Sequence, residues 1–270
     1  MKKRYKIALS IAGSDPSGGA GLQADLKTFS ACGCYGATAV VAVVDENTQG
    51  VTGVFPVSPS FVRGQIKSVL DDLGADAVKI GMLHSAEMVR TVKDTLAEYD
   101  VRNIVLDPVM VATSGDPLLE ADAIDTLKNV LVPFARVITP NIPEAEILLG
   151  EKILSQDALP DCARRLSQGG KVSVLLKAGH LSDAELVDVF YNAETDNVML
   201  LPSRRLDTLN THGTGCTLSS AVAAFLARGF ALDDAVRNAK EYIGKAIEAG
   251  AGYEIGHGHG PVHHFFNFWE

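Results

Sequence analysis

Short runs rich in β-branched residues alternate along the chain with longer runs that are amphipathic or rich in alanine. The short runs predict strands, and the longer ones, whose apolar residues recur at helical spacing, predict helices. We expect strands at residues 6–12, 38–44, 77–80, 103–106, 136–139 and 172–177. We expect helices at residues 19–31, 59–73, 86–99, 121–131, 143–149, 159–168, 214–227 and 233–250.

This alternation predicts the α/β class, with a mostly parallel central sheet covered by helices on both faces in a three-layer sandwich. Two further runs, at residues 186–191 and 198–201, flank a turn-forming stretch and predict a hairpin at the sheet edge. The chain shows no linker, low-complexity tract or repeat, so we expect one domain over residues 1–270. Ligands of such sheets bind beyond the carboxyl ends of the strands, and the chemistry should gather there.

Composition narrows the possible functions. The net charge of −9, from 24 basic and 33 acidic residues, argues against a nucleic-acid binder, which would present a basic face. Residues 37–44 form the longest strongly apolar run, and it is far too short to span a membrane. The start of the sequence shows no secretory signal, and the four cysteines lack zinc-like spacing, so we expect a cytoplasmic protein with reduced thiols.

The most informative stretch is residues 210–216, which precedes an apolar, alanine-rich helix. Gly213, Thr214 and Gly215 at a helix start leave several backbone N–H groups without intrahelical partners, and such a terminus binds anions. Cys216 follows in the first turn, where the pKa of a thiol tends to fall. An anion hole beside a base is what phosphoryl transfer to a hydroxyl needs. A glycine-rich turn followed by a core cysteine is the alternative.

The loop of residues 13–21 follows the first predicted strand. Within it, Gly19, Gly21 and Ala24 match a dinucleotide-binding fingerprint, and Asp45 and Glu46 end the second strand at a suitable distance. The glycines of that fingerprint usually follow the strand directly, which they do not do here. Alternatively, the loop lets the backbone approach a flat substrate, with Asp25 either accepting a hydrogen bond from that substrate or lying in solvent.

Other chemistry-bearing residues also follow predicted strands. Asp107 is a candidate Mg²⁺ partner, or a turn aspartate that caps backbone N–H groups. Asn141 and Glu144 have the spacing of a capping box, and Glu144 could instead belong to a magnesium–water shell. Lys177 could reach a phosphate or lie in solvent. Met82 could pack on a substrate ring or in the core.

Four of the seven histidines lie near the C-terminus, at His257, His259, His263 and His264. The spacing of the first two could bind a metal. They lie in a glycine-rich loop with no accompanying acidic or cysteine ligand, so we expect no metal site there.

Taken in order, these segments resemble the hydroxymethylpyrimidine/phosphomethylpyrimidine kinases of the ribokinase superfamily. The resemblance covers essentially the whole chain, and any one segment alone is weak. The stretches that carry it are IAGSDPSGGAGLQADLKTF (11–29), NTQGV (47–51), KIGML (79–83), DPVM (107–110), SGD (114–116), TPNIPE (139–144), NTHGTGC (210–216) and GPVHHF (260–265).

The resemblance implies a ribokinase-like fold, usually in a homodimer, and a MgATP-dependent enzyme of thiamine biosynthesis. It would phosphorylate 4-amino-5-hydroxymethyl-2-methylpyrimidine, then its monophosphate to the diphosphate. ATP and Mg²⁺ are the implied cofactors, with a monovalent cation as a further candidate. The implied sites are substrate contacts at Gly13, Asp25, Glu46, Met82 and Val109, nucleotide and phosphate contacts at Asn141, Lys177 and Thr211, metal partners at Asp107 and Glu144, and catalytic groups at Gly213, Thr214, Gly215 and Cys216.

Two positions depart from the family pattern. The family often has Gln where this chain has Glu46, and an ionised Glu can only accept hydrogen bonds. Ala178 replaces a glycine beside Lys177, a change we expect to be tolerated. The nearest alternative is a pyridoxal (vitamin B6) kinase of the same branch. A dinucleotide-binding oxidoreductase and a non-catalytic sensor of this fold are more distant alternatives.

Overall fold

Strands and helices alternate in the computed structural model, which describes residues 3–110, 119–120, 122–181 and 185–269. The strands are β1 (Ile7–Gly13), β2 (Tyr35–Asn47), β3 (Gly50–Pro56), β4 (Ala77–Ile80), β5 (Ile104–Leu106), β6 (Val137–Ile138), β7 (Ser173–Leu176), β8 (Glu185–Asn192) and β9 (Asn197–Arg204). The helices are α1 (Gly21–Ala31), α2 (Pro59–Asp72), α3 (Ala86–Leu96), α4 (Ala123–Thr126), α5 (Ile142–Leu149), α6 (Leu159–Leu166), α7 (Thr214–Ala227) and α8 (Leu232–Gly250).

The strands form one sheet in the order β3-β2-β1-β4-β5-β6-β7-β8-β9. The six strands from β2 to β7 in this order are parallel, whereas β3 at one edge and β8 and β9 at the other pair antiparallel. The expected parallel strands and the edge hairpin are confirmed. The parallel strands end at one rim, so the loops after β1, β4, β5, β6 and β7 lie near one another.

One strand and one helix differ from expectation. The antiparallel strand β3 was not expected, because Gly50, Gly53 and Pro56 interrupt its apolar pattern. The helix expected at residues 121–131 is only α4, which widens into a π turn at Leu127–Leu131 and tightens before Pro133, a residue without an N–H to donate. Residues 114–116 and 121 lie outside the described residues.

Alternate residues of each inner strand face opposite helical layers. Ala8, Ala77 and Val105 pack with α1, α7 and α8, whereas Leu9 and Val78 pack with the helices of the opposite face. This arrangement confirms the three-layer α/β sandwich. Among the described helices, none has both the length and the apolar character needed to cross a bilayer.

A fully buried ion pair joins the sheet to one helical layer. The ammonium of Lys79 on β4 lies 2.8 and 2.9 Å from the two carboxylate oxygens of Asp25 on α1, and both side chains are 0% exposed. Ser10 of β1 and Ser220 of α7 each donate a hydrogen bond to the same carboxylate. Burial works to lower the pKa of Lys79, but Asp25 outweighs it and raises that pKa, so Lys79 stays charged. The pair therefore connects two strands and two helices.

Replacing Lys79 with Met should cost about 3–5 kcal/mol of unfolding free energy, because it leaves the Asp25 carboxylate buried without a cation. Urea unfolding at pH 7 measures this loss. Lys245→Met is the matched control, since Lys245 pairs with Glu241 on the exposed face of α8, and it should cost less than about 0.5 kcal/mol. Equal losses in the two variants would contradict the importance of the buried pair.

Candidate active site

The start of α7 is built by close backbone contact with the loop after β1. Gly213, the residue before the helix, has a left-handed φ of 76°. A side chain at Gly213 would overlap the backbone of Gly19, and one at Gly19 would overlap the ring of His212. Glycine at both positions lets the two loops meet, which fixes where the helix terminus points.

The backbone N–H groups at this helix terminus differ in whether they already donate a hydrogen bond within the protein. Thr214 donates its N–H to the carbonyl of Thr211 at 3.2 Å, and its hydroxyl donates to the same oxygen at 2.6 Å. The N–H groups of Gly213, Gly215 and Cys216 find no acceptor among the described residues. These three groups, rather than that of Thr214, are therefore available to an anion, and Thr211 shapes the turn through its backbone carbonyl.

A lysine and a carboxylate lie directly beside this terminus. Lys177 donates to Asp107 at 3.2 Å, and Asp107 also accepts from Thr139 at 2.9 Å and from Ser219 at 3.2 Å. A side chain built at Gly215 would lie 3.3 Å from the Lys177 nitrogen and 3.6 Å from Asp107. The ammonium and the helix N-terminus thus border one space, which suits a phosphate.

Glu144 is close enough to Lys177 and Asp107 for their charges to act on it. It forms the expected capping box of α5, because Asn141 accepts from the Glu144 N–H at 2.9 Å and Glu144 accepts from the Asn141 N–H at 2.8 Å. Burial raises the pKa of Glu144 to about 7, with Lys177 opposing the rise and Asp107 adding to it. Burial would also raise the pKa of Asp107, but Lys177, Lys79 and the hydrogen bond from Thr139 together outweigh it and hold that pKa below its ordinary value.

The expectation that the helix terminus lowers the pKa of Cys216 is wrong. Burial of the thiol raises its pKa to about 11, although the Lys79 ammonium and the N–H of Gly21 pull it down. The loss of hydration therefore outweighs the nearby positive charges in the protein without substrates. Cys216 is a protonated thiol at neutral pH in this state.

Apolar residues expected at the substrate come together on the other side of the rim. Met82 belongs to a small cluster that is separate from the two main cores and contains also Ala42, Val44, Val51, Val54 and Val109. A side chain at Gly13 would lie 3.2 Å from the Met82 sulfur. Gly13, Met82 and Val109 therefore form one apolar wall, to which the unexpected strand β3 contributes.

Two expected substrate residues occupy positions that differ from their predicted surroundings. Glu46 lies inside β2, which extends to Asn47 and so beyond the predicted end at residue 44, and its carboxylate is 4.0 Å from His212. Asp25 does not face the site, because Lys79, Ser10 and Ser220 occupy both of its oxygens. Asp25 thus anchors the floor of the site and is not an acceptor for a ligand in this conformation.

Several site residues were missed by sequence reasoning. His212 donates to Asp15 at 2.9 Å, and Asp15 also accepts from the N–H groups of Ser17 and Ala20. Burial would raise the pKa of Asp15, but these hydrogen bonds hold it well below its usual range. The position of Asp15 in a glycine-rich loop was the available signal, whereas its pairing with His212, 197 residues later, was not visible in any local pattern.

The C-terminal glycine-rich loop has a structural role. The N–H of His259 donates to the Thr48 carbonyl at 2.7 Å, and those of His257 and Gly258 donate to the Thr48 hydroxyl at 3.2 Å. A side chain at Gly258 would overlap Thr48. The loop therefore holds the β2–β3 turn through hydrogen bonds to Thr48. The described residues contain no group of three or more potential metal ligands.

The dinucleotide-binding alternative loses its structural basis. Gly21 has a φ of 53°, and a side chain there would lie 2.6 Å from the carbonyl of Gly13. Gly19 is required by contact with His212. Both glycines of the supposed fingerprint thus serve packing within the protein.

Comparison with known proteins agrees with this site. The sequence profile of the phosphomethylpyrimidine kinase family matches residues 15–263. A hydroxymethylpyrimidine/phosphomethylpyrimidine kinase of Rhizobium meliloti (strain 1021) is 49% identical over 265 residues, which cover 98% of this chain and 98% of that protein. This chain belongs to the phosphomethylpyrimidine kinase family.

Solved structures agree with the fold of this family member. A phosphomethylpyrimidine kinase of Clostridium difficile 630 superposes with a TM-score of 0.79 and 41% identity, covering 89% of this chain and 99% of that one. A Bacillus subtilis pyridoxal kinase in an ADP complex superposes with a TM-score of 0.89 and 37% identity, covering 98% of this chain and 99% of that one. The expected ribokinase-like fold and family are confirmed.

The raised pKa of Cys216 gives a direct test on the kinase without substrates. Because a thiolate is the species that reacts, alkylation of Cys216 by iodoacetamide should accelerate about tenfold per pH unit from pH 7 to 9, with no plateau near pH 8.5. Mass spectrometry of the folded protein measures the rate. The other three cysteines are buried and serve as internal controls. A plateau below pH 8 would show that the thiol is already ionised.

Proposed function

We propose that this protein uses ATP to phosphorylate 4-amino-5-hydroxymethyl-2-methylpyrimidine and then phosphorylates the monophosphate to the diphosphate, in thiamine biosynthesis. The observation that most directly supports this proposal is that the start of α7, Lys177 and Cys216 border one space at the carboxyl ends of the parallel strands. Family membership supports the substrate, and the ADP complex of the related pyridoxal kinase supports the nucleotide.

In this proposal the two halves of the site hold the two reactants. The apolar wall of Gly13, Met82 and Val109 packs against the pyrimidine ring, and Glu46 accepts from its 4-amino group. Asn141 lies beside the nucleotide phosphates at the start of α5. The hydroxymethyl oxygen attacks the γ-phosphorus of ATP, and ADP leaves in line with it.

The negative charge of the transferring γ-phosphoryl group is stabilised by backbone N–H groups and a lysine held in fixed positions. The N–H groups of Gly213, Gly215 and Cys216 donate to the phosphoryl oxygens, and Lys177 offsets their charge. The thiolate of Cys216 accepts the proton of the attacking hydroxyl. Since its pKa is raised, only a small fraction of enzyme molecules is ready at neutral pH, unless bound reactants change that balance.

The site suits a Mg²⁺ ion that keeps most of its waters better than one that is coordinated entirely by protein side chains. The charges of Asp107 and Glu144 both act on Lys177, but the described residues hold no cluster of three or more metal ligands. Mg²⁺ keeps several waters and is commonly held by one or two carboxylates together with substrate phosphates. These two carboxylates would bind it through water, and the ion would neutralise phosphate charge.

A coupled assay of ADP release tests the function directly, with the free pyrimidine, its monophosphate and pyridoxal compared side by side. Turnover of both pyrimidines is expected. Pyridoxal kinase activity is the second candidate, favoured by the structural match to the Bacillus subtilis enzyme. Release of ADP with pyridoxal alone would favour that candidate and overturn the first.

We also propose that the protein forms a homodimer and acts in the cytoplasm. Val43 and Phe55 are opposite each other on β2 and β3 and are 53% and 72% exposed, and Phe61 on α2 is 65% exposed. An apolar surface of this kind fits a second copy. Light scattering at micromolar concentration measures the mass of the assembly.

The cytoplasmic location is supported by the cysteines. All four are free thiols, as expected in a reducing compartment.

Cys216→Ser should lower kcat by about 10²–10⁴-fold with little change in affinity for the pyrimidine, because the hydroxyl cannot act as a base. Cys216→Asp should keep more activity than the serine variant, since a carboxylate is ionised at neutral pH and can accept the proton. Steady-state kinetics and calorimetric titration of the pyrimidine separate these effects. Cys162→Ala, far from the rim on α6, is the control. A serine variant within threefold of wild type would remove the thiol from catalysis.

The raised pKa of Glu144 predicts a pH-dependent response to magnesium. Below about pH 7 the carboxyl is increasingly protonated and loses its attraction for the ion, so the apparent Mg²⁺ affinity should rise as pH increases from 6 to 8. Glu144→Gln should bind Mg²⁺ more weakly at pH 8 and lack this rise, while Gln preserves the capping box. The Mg²⁺ dependence of ADP release is measured for both proteins. The titration of ATP affects both equally, and parallel curves would contradict the assignment.

A further inference from the structure

The His212 side chain lies between two carboxylates from different elements. Its Nε2 is 2.9 Å from Asp15 in the loop after β1 and 4.0 Å from Glu46 in β2. The residue is 5% exposed, and it directly precedes the anion-binding glycine, Gly213. It therefore stands where the substrate half of the site meets the phosphate half.

The position of the ring is closely restricted. The N–H of His212 donates to the Gly260 carbonyl at 3.0 Å, and His212 pairs with Pro261 as an isolated β-bridge. On the opposite side, the ring fills the space above Gly19, where any side chain would overlap it. The ring is thus held at both its backbone and its side chain, at 4.0 Å from the Glu46 carboxylate.

The neighbouring carboxylates favour the doubly protonated, cationic form of this ring. Two ionised carboxylates near each other in a mostly buried site are costly, and an imidazolium between them offsets that cost. Burial works to lower the pKa of His212, but the hydrogen bond and charge of Asp15, together with Glu46, outweigh it and raise the pKa. The charged groups that face the ring are Asp15 and Glu46, while Lys27 of α1 donates to the Gly18 carbonyl of the adjoining loop.

We propose that His212 is a specificity-determining positioning residue, whose ring holds the Glu46 carboxylate in place at the edge of the substrate ring. The inference rests on the proposed function. An ionised Glu46 accepts hydrogen bonds only, so it selects a ring that presents an amino donor and disfavours one that presents an acceptor. The negative charge of Glu46, which stands where the family often has glutamine, is thereby balanced by the positive charge of the His212 ring.

The test is a double-mutant cycle on binding of the free pyrimidine, measured by calorimetry without nucleotide. His212→Gln removes the charge but keeps an N–H that can donate to Asp15. Alone, it should weaken binding about tenfold and raise KM far more than it lowers kcat. In the Glu46→Gln background, the same change should weaken binding less than threefold. His263→Gln, a control at a histidine that packs on Tyr253, should show no coupling to Glu46.

Equal losses from His212→Gln in both backgrounds would show a merely structural role and overturn the inference. A wild-type protein that phosphorylates the pyrimidine while showing no coupling leaves the proposed function standing and rejects only this step. A wild type that neither binds nor phosphorylates the pyrimidine rejects both.

A second measurement does not depend on the folding of the His212 variant. Nitrogen NMR of the imidazole in the wild-type protein should show a doubly protonated ring at pH 7. In Glu46→Gln the ring should lose its proton at a lower pH, since one of its two carboxylates is gone. A neutral ring in the wild type at pH 7 would overturn the inference.

Discussion

The buried pair of Lys79 and Asp25 is the constraint on which the rest of the site depends. A charged lysine in a sheet core survives only where its partner is fixed, and Asp25 is fixed by Lys79 together with hydroxyls from β1 and α7. The rim of the site is therefore attached to its floor. The loop after β1 leads into the helix that carries Asp25, and α7 begins at the anion-binding turn and carries Ser220. A shift of α1 would separate the two buried charges, and a shift of α7 would remove one of the hydrogen bonds that Asp25 accepts.

The same pair explains the electrostatics above it. The Lys79 ammonium lowers the pKa of both Cys216 and Asp107, which lie on different elements. For Asp107, this cation and Lys177 together outweigh burial, and the carboxylate stays ionised. For Cys216 the balance is reversed, because burial outweighs Lys79 and the thiol stays protonated. A base with a raised pKa is a stronger proton acceptor once it is ionised, and it is less reactive towards other reagents while the site is empty.

Local sequence patterns predicted most of the strands and helices, but few of the contacts between residues that are distant in the sequence. The parallel strands, the edge hairpin and the capping box of Asn141 and Glu144 follow from hydrophobic period and short spacings, and the structure shows all of them. Strand β3 could not be found in this way, because its pairing with β2 compensates for two glycines and a proline. Lys79 and Asp25 are separated by 54 residues, and each looked ordinary in its own segment. The wrong expectation for Cys216 has the same origin, since burial is a property of the folded chain and not of a helix start.

The two halves of the site carry opposite charge. Asp15 and Glu46 lie at the half that we propose binds the ring, and Lys177 and the N-terminus of α7 lie at the half that we propose binds phosphate. Both halves are connected by one short stretch of backbone, because His212 contacts the acidic side and Gly213 to Cys216 form the other. The C-terminal loop binds this stretch at His212 and also clasps Thr48 next to the strand that carries Glu46. In the proposed function, the distance between the ring and the phosphate is thus set by contacts among three separate segments, and a shift in any one of them would misalign the hydroxyl with the phosphorus that it attacks.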